Sequence, residues 1–500
     1  LVGSGVSMVT LYYLRRHLKF INCLLKHSES KSVAVSKEVS TWFKKTHNIY
    51  KEHKYFFDEK VMDPVKRKKF VEQLQGVFSD YRNEIYDKTS GEDVAFDVED
   101  IIGFNNIVLL YFDKTIINNK NHNLYSSYNT INIQDVKKLE VTNLYPMLEG
   151  QVAALSSGKI KPKEALLVLE SLYSSEIYQR DQNSFMLYPI RALKPFMEKN
   201  IVPEKVIDNS QLLKNLIKHK NTDIIYKDDN NHYRFNSYLI NSVALDYALS
   251  SLSKDESWAE LVSSERGLII AGYIETFDHQ NYTGRSGTMY AYEGIGSIYW
   301  HMVSKLLLAS QEIFFTAIHS NEDNSVIRKL GTLYYKIRSG LSAEKTAQEY
   351  GAFPYDPYSH TPKDRGAQQP GMTGQVKEEI ITRMGELGCQ IQNGQLVFDV
   401  SLLKVSEFLN EENIFTYIDV DQTFQSIPLK KHQLAFTYCQ VPIVYTLCDD
   451  SWRHIITSKD GTIKEYDGNI VEQNISDDLF SRSGQIKQIN VNCPKSNFLF

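Results

Sequence analysis

"GQVKEEIITRMGELGCQIQNGQLVFDVSLL", Gly374 to Leu403, holds the change of pattern that decides the fold. Up to Glu386 its apolar residues recur at helical spacing, and Gly388 then stops the run. From Cys389 onward apolar and polar side chains alternate across Asn393-Gly394, the signature of a two-residue hairpin. A boundary near residue 386 therefore separates a helical body, residues 1–385, from a β-rich C-terminal module, residues 386–500.

Working back from that boundary, helical periodicity recurs. It is seen in "SMVTLYYLRRHLKFINCLLK" (7–26), "PVKRKKFVEQLQGVFSDYRNEIYD" (64–87), "MLEGQVAALSS" (147–157) and "KPKEALLVLESLYSSEI" (161–177). Pro64 and Pro162 stand where a first helical turn tolerates proline. "NSYLINSVALDYALSSLS" (236–253), "SWAELVSSERGLIIAGYIETF" (257–277) and "SIYWHMVSKLLLASQEIFFTAIHS" (297–320) continue the series. Beyond the boundary, "HQLAFTYCQVPIVYTL" (432–447), "RHIITSKDGTIKEYDGNIV" (453–471) and "QIKQINVNC" (485–493) read as short alternating strands. Helix pairs with elaborated loops and no fixed period point to an (α/α) toroid rather than an α-solenoid.

Composition removes several function classes. The net charge of −5 over 500 residues offers no electrostatic footprint for nucleic acid. No stretch reaches the roughly 18 uncharged apolar residues of a membrane span. Cys23, Cys389, Cys439, Cys448 and Cys493 form no C-x-x-C pair, which argues against a disulfide framework or a zinc ribbon and favours a reducing cytoplasm over the periplasm. The histidines lie too far apart for a metal-ligand motif, so no metal or cofactor is expected. The opening "LVGSGVSMVT" has no initiator methionine and reads as part of a longer polypeptide, with room upstream for a β domain of the same chain. The 31 tyrosines and 24 phenylalanines can line a sugar cleft, or they reflect genome bias.

Four polar loops can carry chemistry. "YQRDQNSFMLYP" (178–189) groups Arg180, Asp181, Gln182 and Tyr188; a carboxylate so flanked can serve as an acid, or can be a helix cap paired with Arg180. "NNKNHNLYSSYNT" (118–130) supplies Tyr125 and Asn129 to sugar hydroxyls and ring faces, or is an Asn-rich surface loop. "TGRSGTMYAYEGIGSIYWHM" (283–302) places Arg285, Ser286, Gly287 and Thr288 as an anion-binding loop, followed by Glu293 and the aromatic Trp300. In a plainer reading Glu293 pairs with Arg285 and the loop caps the helix. The richest loop, "GAFPYDPYSHTPKDRGAQQPGMTGQ" (351–375), offers Tyr355, Asp356, His360, Gln368 and Gln369 for closure over a substrate. Neither a P-loop nor a nucleophile elbow is present.

"YEGIGSIYWHM", then "YDPYSHTPKDRGAQQPGMTGQ", then a β module resemble the late part of (α/α)6-toroid carbohydrate-active enzymes, the six-hairpin glycosidase type. Trehalase-like and α-glucosidase-like members share a Tyr-Asp-Pro loop, and the cellobiose-phosphorylase-like group has a phosphate loop that "GRSGT" resembles. Two features depart from these families. No glutamate directly precedes Tyr355-Asp356-Pro357, the nearest being Glu349, and the G-G-D-W-like acid motif is missing. The resemblance implies an enzyme cleaving glycosidic bonds of an oligosaccharide by phosphorolysis or inverting hydrolysis. Asp181 is then the general acid, with Glu293 as a second candidate or an orienting carboxylate, and inorganic phosphate is the co-substrate if the reaction is phosphorolysis. A non-catalytic glycan-binding or α-helical scaffold protein is the competing class.

Overall fold

The computed structural model describes residues 5–59, 62–87, 89–132, 135–189, 196–277, 298–341, 345 and 375–500. About half of it is helical, with the sheets concentrated at the C-terminal end, so the chain is mainly α with a β-rich module. Strand β1 (Gly5–Ser7) leads into α1 (Met8–His27), where the Ser7 side chain accepts from the Thr10 amide at 3.1 Å. After β2 (Ser32–Ser36) come α2 (Lys37–Glu52), α3 (Pro64–Asp87), β3 (Asp93–Asp97) and α4 (Val98–Asn118). These helices close on an aromatic cluster of Ile49, Phe56, Phe70 and Tyr111, while β2 and β3 pair antiparallel.

The Asn-rich stretch read as a loop is ordered β structure. β4 (Lys120–Asn121) and β5 (Leu124–Tyr125) form a hairpin, and β6 (Tyr128–Asn132) lies between β1 and β7 (Glu140–Asn143) in a three-stranded sheet. Next come α5 (Leu148–Ser156) and α6 (Pro162–Tyr173), then a small hairpin of β8 (Tyr178–Gln179) and β9 (Ser184–Phe185).

Beyond this hairpin a separate unit interrupts the body. Its elements are α7 (Phe196–Lys199), α8 (Glu204–Asp208), α9 (Gln211–Lys218), the hairpin β10 (Ile225–Lys227) and β11 (Tyr233–Phe235), α10 (Ser242–Leu252) and α11 (Glu256–Phe277). They bury a core of their own, including Leu212, Leu213, Leu216, Phe235, Leu245 and Tyr273, which shares no residue with the core of the body. The chain leaves and re-enters the body side by side, since Met186 bridges antiparallel to Ile298. Helix α10 starts later than its apolar pattern predicts. Asn241 caps it by accepting from the Ala244 amide at 2.7 Å, leaving 236–240 as turn.

The body resumes with α12 (Trp300–His319), α13 (Asn324–Ser339) and α14 (Gln375–Glu386). Helix α12 is buried on nearly every face and packs against α5, α6, α13 and α14. Its Leu306, Leu307, Phe314 and Ala317 join α1, α5, α6 and α13 in the main core.

In the C-terminal module, β12 (Cys389–Gln392) and β13 (Gln395–Phe398) form the foreseen hairpin, with Asn393 and Gly394 both at positive φ. β14 (Asn413–Ile418) and β15 (Phe424–Leu429) make a second hairpin. A five-stranded sheet contains β16 (Gln433–Tyr438), β17 (Val441–Cys448), β18 (Arg453–Ser458), β19 (Ile463–Asp467) and β20 (Ile486–Pro494), in the order β16-β17-β20-β18-β19. The β17–β20 pair is parallel, which requires a crossover, and α15 (Gln473–Phe480) lies within it. The module is tied back to the body by polar contacts. Arg383 of α14 pairs with Glu407 at 2.5 Å, Arg328 of α13 donates to the Leu499 carbonyl at 3.1 Å, and Tyr445 donates to the Leu387 carbonyl, just past α14, at 2.6 Å.

Gly388, at the end of α14, has φ +79, and a Cβ there would stand 2.5 Å from the Asp399 carbonyl oxygen. Neither the left-handed backbone nor the backbone neighbour can yield. Gly388→Ala is expected to lower unfolding free energy by at least about 2 kcal/mol, adding strain to overpacking. Gly103→Ala in α4 meets nothing within 4 Å and should stabilise by up to about 1 kcal/mol. Urea denaturation of the two variants checks both signs.

Candidate active site

The first turns of α5, α12 and α14 bring a set of polar side chains together around α1 and β6. Helix α5 approaches the β5–β6 segment so closely that a Cβ on Gly150 would lie 2.6 Å from Ser127 Oγ and 2.9 Å from the Tyr125 carbonyl. The neighbouring Gln151 clamps that segment, accepting from the Tyr125 amide at 2.8 Å and donating to its carbonyl at 2.6 Å. Tyr125 itself is core: its ring meets Tyr12 edge-on and its phenol donates to Glu164 at 2.7 Å. Asn129, on β6, is buried, and its Oδ1 has no hydrogen-bond partner among the described residues.

Beside Asn129, the Tyr128 phenol donates to Glu149 Oε2 at 2.8 Å. Burial, then Glu149 and Tyr188, hold that phenol well above its ordinary pKa, so Tyr188 stands in the same field. Across the group, Tyr13 on α1 is shifted upward by burial first and then by Glu312 and Glu149, with a smaller push from Glu378. Arg16 holds Glu312 in a two-pronged pair at 2.7 and 2.9 Å. In the first turn of α12, His301 Nε2 lies 3.5 Å from Glu378 Oε1 of α14. Glu378 is 3% exposed and its second oxygen, Oε2, has no hydrogen bond among the described residues. Burial, reinforced by Lys305, lowers the His301 pKa, and Glu378 opposes the shift.

The β8–β9 hairpin carries the other predicted residues. Its turn is closed by the Asn183 amide donating to the Arg180 carbonyl at 3.1 Å, with Asn183 at φ 46 and its side chain donating to Ser339 at 3.1 Å. Arg180 and Asp181 are thereby left exposed at the tip, while Gln182 turns inward and is buried. The Gln182 carbonyl accepts from Lys345 Nζ, and that ammonium sits 4.5 Å over the ring of the buried Trp300. Lys345 thus joins two predicted residues, Gln182 and Trp300. Sequence reasoning passed over Lys345, Glu149, Glu378 and His301 as site members. Glu293, the loop residues Arg285, Ser286, Gly287 and Thr288, and Tyr355, Asp356, His360, Gln368 and Gln369 lie outside the described residues. In the chain they stand in the segments that run into α12 and α14.

Chemically, the group can accept hydrogen bonds through carboxylates, donate through phenols, and exchange a proton at His301. Among the described residues, no group of three or more His, Cys, Asp or Glu is placed to hold a metal ion. Also among them, no helix is long and apolar enough to cross a membrane.

Residues 193–280 match the family model described as "GH149 phosphorylase insertion domain 2". The matched span coincides with the unit that has its own core between Met186 and Ile298. No curated protein matches the chain. The match supports a relationship to glycoside phosphorylases.

His301, His47 and His454 all have pKa values lowered chiefly by burial. Each is held neutral in the fold but takes up a proton in the unfolded chain near its ordinary pKa of about 6.5. Unfolded chains therefore bind more protons in that range, and stability should fall as pH drops below about 6.5. His301→Asn should reduce, without abolishing, the drop in urea midpoint between about pH 7.5 and about pH 5.5; an unchanged drop would show that His301 does not titrate with folding.

Proposed function

We propose that this chain is the catalytic part of a glycoside phosphorylase that cleaves an oligosaccharide with inorganic phosphate. In this reading the helical body is a six-hairpin (α/α) toroid, and the first turns of α5, α12 and α14 face its cleft. The match of residues 193–280 to a phosphorylase insertion domain carries the reading, because that unit has its own core and lies between Met186 and Ile298, which are joined by a backbone bridge.

The reaction assigned to the cleft is a displacement at the anomeric carbon. A phosphate oxygen forms the new bond to that carbon as the glycosidic C–O bond breaks. The departing sugar oxygen takes a proton from the acid, giving a glycosyl phosphate and a shortened oligosaccharide. Asp181 is proposed as the acid, at a hairpin tip open to a ligand. Glu293 is the second candidate. Arg285, Ser286, Gly287 and Thr288 are proposed to hold phosphate, since a guanidinium, hydroxyls and loop amides together match a tetrahedral anion. Gln182, Asn129 and Tyr188 would meet sugar hydroxyls.

Incubation with α- and β-linked oligosaccharides should release glycosyl phosphate only when inorganic phosphate is present. Free sugar released equally without phosphate would assign a hydrolase instead. Asp181→Asn should lower turnover at least about 100-fold, as loss of a general acid does, with its circular dichroism spectrum unchanged. Arg285→Ala should raise the KM for phosphate about tenfold or more while leaving oligosaccharide binding intact, consistent with loss of a charge-assisted hydrogen bond.

A further inference from the structure

The hairpin that carries Asp181 is fastened at two levels. Its base belongs to the core: Phe185 and Met186 are buried, and the rings of Tyr178 and Phe185 pack on Tyr173 of α6 with centroids 4.8 and 4.9 Å away. Its tip is held from outside, by the end of α13 and by Lys345. The Asn183 side chain donates to Ser339 at 3.1 Å and accepts from the Tyr178 phenol at 3.0 Å. The Asn183 carbonyl lies so close to Gly340 that a Cβ there would overlap it. Beside these contacts, Lys345 Nζ donates to the Gln182 carbonyl.

Lys345 is 8% exposed, and an ammonium taken out of water is costly unless its charge and its hydrogen bonds are met. It meets the Gln182 carbonyl on one side and the ring of Trp300, 4.5 Å away, on the other. Trp300 is buried and is the first residue of α12. One buried cation therefore joins the neighbour of Asp181 to the start of the helix around which the body packs. For stability alone, an apolar side chain would serve as well against an indole. A cation with a directional N–H bond does something more, because it fixes where the hairpin tip stands.

The ties fall on both sides of Asp181. The Arg180 carbonyl accepts from the Asn183 amide at 3.1 Å and the Gln182 carbonyl is taken by Lys345, while Asp181 itself stays exposed. A proton donor needs this combination of a fixed backbone and a free carboxyl. It works only within hydrogen-bond reach of the leaving oxygen, and a displacement of about 1 Å can cost about 100-fold. We infer that Lys345 is a positioning residue, which acts on the reaction through Asp181. The inference rests on the phosphorolytic reading with Asp181 as the acid, and it adds to that reading a residue that holds the acid in place.

The test uses the full chain carrying Lys345→Met, which keeps most of the side-chain bulk and removes its charge. Phosphorolysis of the oligosaccharide should lose kcat at least about tenfold, with KM for oligosaccharide and for phosphate within about threefold of wild type. The glycosyl fluoride of the released sugar separates positioning from general damage, because phosphate displaces fluoride from the anomeric carbon without a proton from the acid. Lys345→Met and Asp181→Asn should both use it at rates within about threefold of wild type. The double variant Asp181→Asn/Lys345→Met should be no slower on the oligosaccharide than Asp181→Asn alone, as expected of residues that act as one unit. Lys345→Gln keeps a donor for the Gln182 carbonyl; it should lose less, and it decides by the same comparisons if Lys345→Met does not fold. Unchanged kcat, an equal loss on oligosaccharide and fluoride, or losses that multiply in the double variant would each overturn the inference. Trypsin supplies a readout independent of turnover: cleavage after the exposed Arg180, followed by mass spectrometry, should be at least about tenfold faster in Lys345→Met. A wild type that forms no glycosyl phosphate while this cleavage speeds up would sink the catalytic reading and leave Lys345 as a structural tie. An active wild type with kcat and cleavage both unmoved in the variant would sink the inference alone.

Discussion

The body of this protein is organised around the burial of one helix. Helix α12 hides Trp300, Met302, Val303, Leu306, Leu307, Ala309, Ile313, Phe314 and Ala317, which leaves it only a narrow stripe that ends in the exposed Thr316 and His319 to give to water. Each large side chain so buried is worth about 1.5–3 kcal/mol, and that gain is available only if other helices cover most of the circumference of α12. Helices α5, α6, α13 and α14 meet that requirement. Because α5, α12 and α14 share this packing, the polar residues of their first turns are brought into one neighbourhood. His301 and Glu378 are distant in the chain and 3.5 Å apart in the fold for that reason, and Glu149 and Glu378 both act on Tyr13.

The same constraint explains what could be read from the sequence. Proline at a first turn marked α3 and α6, continuous apolarity marked α12, and Asn393-Gly394 marked the hairpin that opens the module. These are local signals. Pairings between distant segments leave no such trace: β1 joins β6 across more than a hundred residues, and β17 lies parallel to β20 with α15 between them in the chain. The turn from β16 to β17 was hidden for a different reason. Cys439 and Gln440 both adopt positive φ there, without the glycine or asparagine that normally announces it.

Site residues divide along the same line. Loop composition marked Arg180, Asp181 and Gln182 as a group, but which of them faces inward depends on the Asn183 turn and its bond to Ser339. Tyr125 has the composition of a cleft residue, yet its phenol is engaged by Glu164 inside the core. Glu149, His301 and Glu378 sit in helices of ordinary composition, and nothing short of the packing of α12 could group them. Lys345 was hidden for a related reason, since only tertiary structure places its ammonium over Trp300.

Buried polar groups without partners supply an independent reason to place function at this end of α12. Leaving such a group unsatisfied costs about 1–3 kcal/mol. Among the described residues, Asn129 Oδ1, Gln182 Oε1, Ser184 Oγ and Glu378 Oε2 are all in that state. The β8–β9 hairpin and α14 are tied to the start of α12 by the Met186–Ile298 bridge and the contact of Glu378 with His301, and β6 is joined to α5 by the Tyr128–Glu149 hydrogen bond. A core made only for stability would fill these positions with apolar side chains. Their cost is offset if a hydroxyl-rich ligand completes their hydrogen bonds, and the unit matched to a phosphorylase insertion domain leaves and rejoins the body beside the same spot.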